Sequence, residues 1–259
     1  MLNQVFPKWQ VTRALCWLSI LVLVGCQKNC SSRSEPYSQV DPIQAESQQT
    51  AQGGTSVNGG QKLGAHENEN DAAAPVARTL VFLGDSLTAG YGLNLSEAFP
   101  AKVQEKLRSA GMAWKVVNAG VSGDTTRGGL ERVGWVLKAQ PSIVFICLGA
   151  NDGLRGLAVE ESRKNLKAII DAFLAKHVQV LLGGMELPVN YGSSYREEFR
   201  QMYVSLAEEY RLPFLPFLLE GMALKPELTL QDGIHPNAKG TDVIAENVWA
   251  FLGPLLQKD

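Results

Sequence analysis

"SIVFICLGAND", residues 142–152, carries six apolar side chains in succession after Ser142 and then breaks at a glycine. A strand that is apolar at successive positions has both faces covered, and strands of that kind belong to parallel sheets flanked by helices. The same pattern recurs on both sides of this stretch, in "TLVFL" (79–83), "WKVVN" (114–118), "VQVLLGG" (178–184) and the short "PFLPF" (213–217). Helical periodicity fills the intervals near 97–110, 126–139, 160–176 and 195–210, with a last helix near 237–252. In 160–176 the reason is plain: Leu166, Ile169, Ile170 and Phe173 recur three or four apart and form one stripe, while Lys164, Lys167 and Asp171 face away. Five buried strands alternating with helices predict an α/β fold, a three-layer α/β/α sandwich around a five-stranded parallel sheet.

In such sheets ligands gather beyond the carboxyl ends of the strands. The segments to read for chemistry are therefore "GDSLT" after the first strand, "AGVSGDTT" after the second, "GANDG" after the third, "MELPVNYG" after the fourth and "LQDGIHPN" near the end. Ser86 in the first of them is a poor nucleophile until an imidazole takes its proton. The chain has three histidines. His66 lies in a polar segment without core-forming residues, and His177 closes a helix, where a cation is an ordinary structural choice. His235 remains, three residues after Asp232, a spacing that lets the carboxylate reach the Nδ1 hydrogen while Nε2 faces outward. An Asp-x-x-His pair alone is an ordinary turn; its weight comes from being the available base beside a serine in a post-strand loop.

A tetrahedral intermediate also needs donors aimed at its oxyanion. Three fit: the Ser86 N–H, a backbone N–H in the glycine-rich "NAGVSGDT" loop, and the side-chain amide of Asn151. Asp85 precedes the serine, but successive side chains at a strand end point apart, so it is expected to hold the loop rather than move protons. Asp152 is expected to support its own loop in the same way. No set of His, Cys and carboxylates has metal-ligand spacing, so neither a metal nor another cofactor is expected. Thr88 occupies the last position of what would be a G-x-S-x-G elbow, which speaks against the α/β-hydrolase arrangement.

"GDSLT", "NAGVSGDT", "GAND" and "DGIHP" resemble, in order, the four blocks of the SGNH (GDSL-type) hydrolases. The resemblance spans about 79–252, and "GDSLTAGYG", "GANDGLRG", "LPVNYG" and "PFLPF" are most similar to the bacterial periplasmic thioesterase/lysophospholipase and arylesterase branch. It implies a flavodoxin-like fold, a triad of Ser86, His235 and Asp232, and an oxyanion hole from Ser86, a second-block glycine and Asn151. For that glycine it points to Gly123, with Gly120 as the alternative. The implied activity is hydrolysis of carboxylic esters or thioesters through an acyl-enzyme on Ser86.

The first 77 residues read differently. Lys8 and Arg13 precede "ALCWLSILVLVG", about a dozen apolar residues where a spanning helix needs about 20, so residues 1–25 are expected to be an export signal. "LVGC" resembles the bacterial lipobox, which implies lipidation of Cys26, and Gln27 after it suggests the outer membrane, facing the periplasm. Residues 26–77, rich in Gln, Ser, Asn, Gly and Glu, form the expected tether, and residues 78–259 the catalytic domain. A flexible chain of about 50 residues spans about 40 Å. The soluble relatives lack this tether and lipobox. With Cys16 in the signal, Cys26 lipidated, Cys30 in the tether and Cys147 in an apolar strand, no disulfide framework is expected.

A net charge of −2 leaves no basic excess for nucleic acid. The expected partners are a small-molecule or lipid ester and, through the anchor, a membrane, with a monomer as the expected state. Two other readings share the same residues: an acetylesterase acting on polysaccharide or cell-wall glycans, and a surface lipoprotein that binds without catalysis. Acyl-chain preference separates the first from a lipid esterase; labelling of the serine by a fluorophosphonate separates the second.

Overall fold

The computed structural model describes residues 78–256. The expected signal, Cys26, the tether and His66 lie outside the described residues. Five strands, β1 (Arg78–Gly84), β2 (Trp114–Gly120), β3 (Ile143–Cys147), β4 (Gln179–Gly183) and β5 (Phe214–Leu215), form one parallel sheet in the order β2-β1-β3-β4-β5. Leu80 to Leu83 of β1 and Val144 to Ile146 of β3 have no solvent exposure, as the unbroken apolar runs require of strands covered on both faces.

Among the described residues, eight α-helices accompany the sheet: α1 (Ser86–Ala89), α2 (Phe99–Ser109), α3 (Thr126–Glu131), α4 (Val133–Val136), α5 (Ala150–Leu154), α6 (Val159–Leu174), α7 (Ser193–Tyr210) and α8 (Ala238–Leu256). The β1-to-β2 connection moves one way across the sheet and the later connections move the other way. Because crossovers are right-handed, this reversal puts helices on opposite faces. α2 packs with α8, and α6 packs with α3 and α7. On the α2 and α8 side the rings of Phe82, Phe99, Phe145 and Phe251 interlock, Phe82 meeting Phe99 edge-on at 5.3 Å and Phe145 meeting Phe251 at 5.6 Å.

The three-layer sandwich expected from the sequence is the fold observed, with three local differences. The helix expected over 126–139 is divided at Arg132 (φ −106°, ψ 8°) into α3, α4 and a 3₁₀ turn at Leu137–Ala139. Gly128, Gly129 and Gly134 weaken the segment by about 1 kcal/mol each relative to alanine. Gly129 cannot be exchanged for a better helix former, since a Cβ there would stand 2.2 Å from Leu148 Cδ1. The last strand shrinks to two residues between Pro213 and Pro216, neither of which can donate to a ladder. Finally, α1 and α5 are short helices directly after β1 and β3, where only loops were expected.

Candidate active site

Ser86 opens α1 at the carboxyl end of β1. The chain turns there because Gly84 has no side chain: a Cβ on it would stand 1.9 Å from Thr88 Oγ1 and 3.0 Å from the Cys147 carbonyl oxygen. Asp85 caps the helix, its Oδ1 accepting the Leu87 N–H at 3.0 Å, and Gly90 in the left-handed region (φ 80°) ends it one turn later. Asp85 thus holds the loop as expected, and it does so almost fully buried. Burial pushes its carboxyl up to about 6, against the Leu87 N–H, which favours the anion, as His235 does when its ring is protonated.

His235 arrives from the loop before α8, 149 residues further along the chain, and its Nε2 lies 2.9 Å from Ser86 Oγ. Its Nδ1 lies 2.7 Å from Asp232 Oδ2, while Asp232 Oδ1 accepts the N–H groups of Ile234 and His235, each at 2.9 Å. These donors, the Ile234 N–H foremost and then the ring and the His235 N–H, lower the Asp232 carboxyl to about 2. A carboxylate that is ionised at neutrality can only accept, so Nδ1 carries the hydrogen and the neutral ring leaves Nε2 free to accept from the Ser86 hydroxyl. The loop is braced by Asn237, whose Nδ2 donates to the Glu227 and Thr229 carbonyls at 3.0 and 3.1 Å. Tyr91 covers one side of the imidazole, its ring centroid 4.5 Å away at a 40° tilt.

Of the two other histidines, His66 lies outside the described residues, and His177 sits exposed in a left-handed turn (φ 58°) just before β4, at the amino end of the strands and away from Ser86. Cys147 is a buried thiol at the end of β3, its pKa raised by burial, in keeping with a packing role.

The second-block loop lies beside Ser86. Gly120 donates its N–H to Asn118 Oδ1 at 2.9 Å, and a Cβ on it would stand 2.2 Å from the Ala89 nitrogen, so it is spent on packing α1 against β2. Gly123 instead is exposed at φ 85°, and among the described residues its N–H has no acceptor. Its carbonyl accepts from Arg155 Nη2 at 2.9 Å, and the next carbonyl, that of Asp124, accepts from Asn151 Nδ2 at 2.9 Å. Asn151 keeps its second amide hydrogen unspent. Asp152 does more than support its own loop: it accepts from the Thr126 N–H at 2.8 Å, the Thr126 hydroxyl at 2.6 Å and the Ser162 hydroxyl at 3.0 Å, joining α5 to α3 and α6.

The five residues read from sequence as chemical lie beyond the carboxyl ends of the strands, Ser86 and Asn151 in the short helices α1 and α5 and Gly123, Asp232 and His235 in loops. Residues 82–243 match the GDSL-like lipase/acylhydrolase family. The chain belongs to that family. Among its curated relatives, the thioesterase 1/protease 1/lysophospholipase L1 of Escherichia coli K12 is 42% identical over 187 residues, covering 72% of this chain and 88% of that protein. The arylesterase of Vibrio mimicus is 37% identical over 178 residues, covering 68% of this chain and 89% of that protein. Among solved structures, the crystal structure of TesA superposes with a TM-score of 0.67 at 40% identity, covering 69% of this chain and 99% of that one. The GDSL-type chain described here is therefore an ester-bond hydrolase with the SGNH fold.

Sequence reasoning missed three members of this GDSL-type site: Tyr91, Arg132 and Arg155. Arg155 lies inside the quoted "GANDGLRG" and Tyr91 inside "GDSLTAGYG", so motif membership was the available signal for both. Arg132 had no signal beyond being a charge within an expected helix.

Proposed function

We propose that the protein is a serine esterase that hydrolyses carboxylic esters or thioesters through an acyl-enzyme on Ser86. The observation that carries this reading is the 2.9 Å contact between Ser86 Oγ and a His235 ring held by Asp232 at 2.7 Å. Ser86 Oγ attacks the substrate carbonyl carbon as its proton passes to His235 Nε2. The resulting oxyanion is met by the N–H groups of Ser86 and Gly123 and by the free hydrogen of the Asn151 amide. Gly123 is preferred to Gly120 because the Gly120 N–H already serves Asn118. The imidazolium, stabilised by Asp232, returns its proton to the departing alcohol or thiol as the carbonyl re-forms. Water, deprotonated by the same ring, then attacks the acyl carbon, and breaking the bond to Oγ releases the acid and restores the serine.

The substrate class follows the relatives, whose names span thioesters, lysophospholipids and aryl esters. The segments after β4 and β5 leave Val189 and Leu224 largely exposed, which suits an acyl chain. Turnover of p-nitrophenyl acyl esters by Ser86→Ala should fall by at least about 10⁴-fold, as should that of Asp232→Asn, which upsets the imidazole tautomer. Parent-rate hydrolysis by Ser86→Ala would refute the assignment. A panel running from acetyl to palmitoyl esters and thioesters fixes the acyl preference.

The cellular part of the proposal rests on sequence: residues 1–25 as a cleaved signal, Cys26 as the lipidated residue, 26–77 as a tether and the outer membrane as the location, facing the periplasm. Among the described residues no helix is long and apolar enough to cross a membrane.

A further inference from the structure

The break in the expected helix turns Arg132 inward, under the site. Its three kinds of nitrogen each donate to a different partner: Nη2 to the Gly84 carbonyl at 2.8 Å, Nη1 to the Ala119 carbonyl at 2.6 Å and Nε to Asp124 Oδ2 at 2.6 Å. Both side chains of the ion pair are largely buried, 17% exposed for Arg132 and 16% for Asp124. Gly84 ends β1 two residues before Ser86; Ala119 is the next-to-last residue of β2; Asp124 follows Gly123 directly.

We infer that Arg132 is a positioning residue for the oxyanion hole, locking the strand end that carries Ser86 to the loop that carries Gly123. A guanidinium presents its donors in one rigid plane, so three acceptors bonded to it have fixed relative positions. Two of those acceptors set where β1 and β2 end, and the third sets where the Gly123 loop leaves β2. The Gly84 carbonyl also accepts the Val121 N–H at 3.0 Å, and the Asp124 carbonyl accepts the Asn151 amide, so the third strand's donor is tied to the same lock. Each proposed oxyanion donor sits on a segment that Arg132 bonds directly or reaches through Asp124. Uninterrupted helix over 126–139 would point this side chain along the helix surface; the break at Arg132 is what the lock requires.

The consequence is kinetic. Donors aimed at the oxyanion act in the transition state far more than on the ground-state ester, so loosening the lock lowers kcat and leaves KM nearly as it was. A lysine keeps the charge but supplies one point of attachment in place of a planar fork, and it cannot hold all three acceptors.

This inference rests on the Ser86 acyl-enzyme reading, and the experiment separates the two. Full-length Arg132→Lys, Arg132→Ala, Asp124→Asn and Ser86→Ala are compared with the parent on p-nitrophenyl acetate, with melting temperatures recorded for each. Arg132→Lys and Arg132→Ala are expected to lose about 10- to 100-fold in kcat, the range that small misplacements of reacting groups produce, with KM changed less than about threefold. Guanidinium chloride at tens of millimolar is expected to restore part of the kcat of Arg132→Ala and to leave the parent and Ser86→Ala unaffected. If Arg132→Ala does not fold, Arg132→Lys and Asp124→Asn carry the test, both with reduced kcat expected. Arg132→Lys turning over within twofold of the parent overturns the inference whatever its melting temperature, as does a loss confined to KM. Parent-rate turnover by Ser86→Ala instead removes the acyl-enzyme reading beneath it.

Discussion

Two carboxylates around Ser86 and His235 meet opposite fates. Asp232 sits in a turn whose N–H groups converge on it and stays ionised down to about pH 2, whereas Asp85 is buried and titrates at about 6. A carboxyl whose folded pKa lies above its unfolded value of 3.8 adds stability that is complete below about pH 4 and is lost as pH rises through about 6. At about 1.4 kcal/mol per unit, ionising Asp85 costs the folded state about 3 kcal/mol at neutral pH. Asparagine keeps the oxygen that caps Leu87 and has no charge to bury. Urea denaturation should therefore find Asp85→Asn more stable than the parent at pH 8, by up to about 3 kcal/mol, and no more stable at pH 4. An equal difference at both pH values would mean that burial does not govern this carboxyl. The residue-level pairings legible in the sequence were those announced by close spacing or by post-strand motifs, such as Asp232 three residues before His235 and His235 as the available base for Ser86. Tyr91 against His235 and Arg132 against Gly84 depend on contacts between distant segments, which no local spacing encodes.

Elements were legible where burial alone decides them. The six apolar residues after Ser142 could only be a strand covered on both faces, and β3 is that strand. The division at Arg132 was not legible, because Leu130, Val133 and Val136 keep helical spacing through the break and periodicity reads straight across it. The short α5 was hidden for a different reason: its start depends on Gly149, a residue that sequence reading takes as the end of something. Gly149 adopts φ 116°, and a Cβ there would stand 2.1 Å from the hydroxyl of Tyr203, which is itself buried and bonded to the Leu148 carbonyl at 2.9 Å. Left-handed backbone costs a residue with a side chain about 1–2 kcal/mol, and overpacking adds about 1–3 kcal/mol. Gly149→Ala should accordingly lose about 2–5 kcal/mol in urea denaturation. It should also lose kcat, because α5 carries Asn151, the proposed oxyanion donor. Parent stability in that variant would show that Tyr203 yields freely and that α5 is not fixed by this glycine.

At the scale of the molecule, the strand order β2-β1-β3-β4-β5 changes direction at β1, and the crevice between β1 and β3 is where such sheets open for ligands. Ser86 follows β1 and Asn151 follows β3, one on each wall, while the loop before α8 brings His235 across to the first wall. Among the described residues, the bonds that shape this crevice run from the Gly84 carbonyl held by Arg132 to the Gly240 N–H on Asn237. The proposed anchor at Cys26 lies outside these residues and should govern where the enzyme is and not how fast it turns over. Cys26→Ser should leave the membrane fraction of the cell for the soluble one while keeping kcat on a water-soluble acetyl ester within about twofold, since on this proposal the substitution leaves no thiol to carry the acyl chains that would hold the protein to the bilayer. A variant that still sediments with membranes would remove the anchor from the account, and one that is released but slow would mean that the segment before Arg78 reaches the crevice.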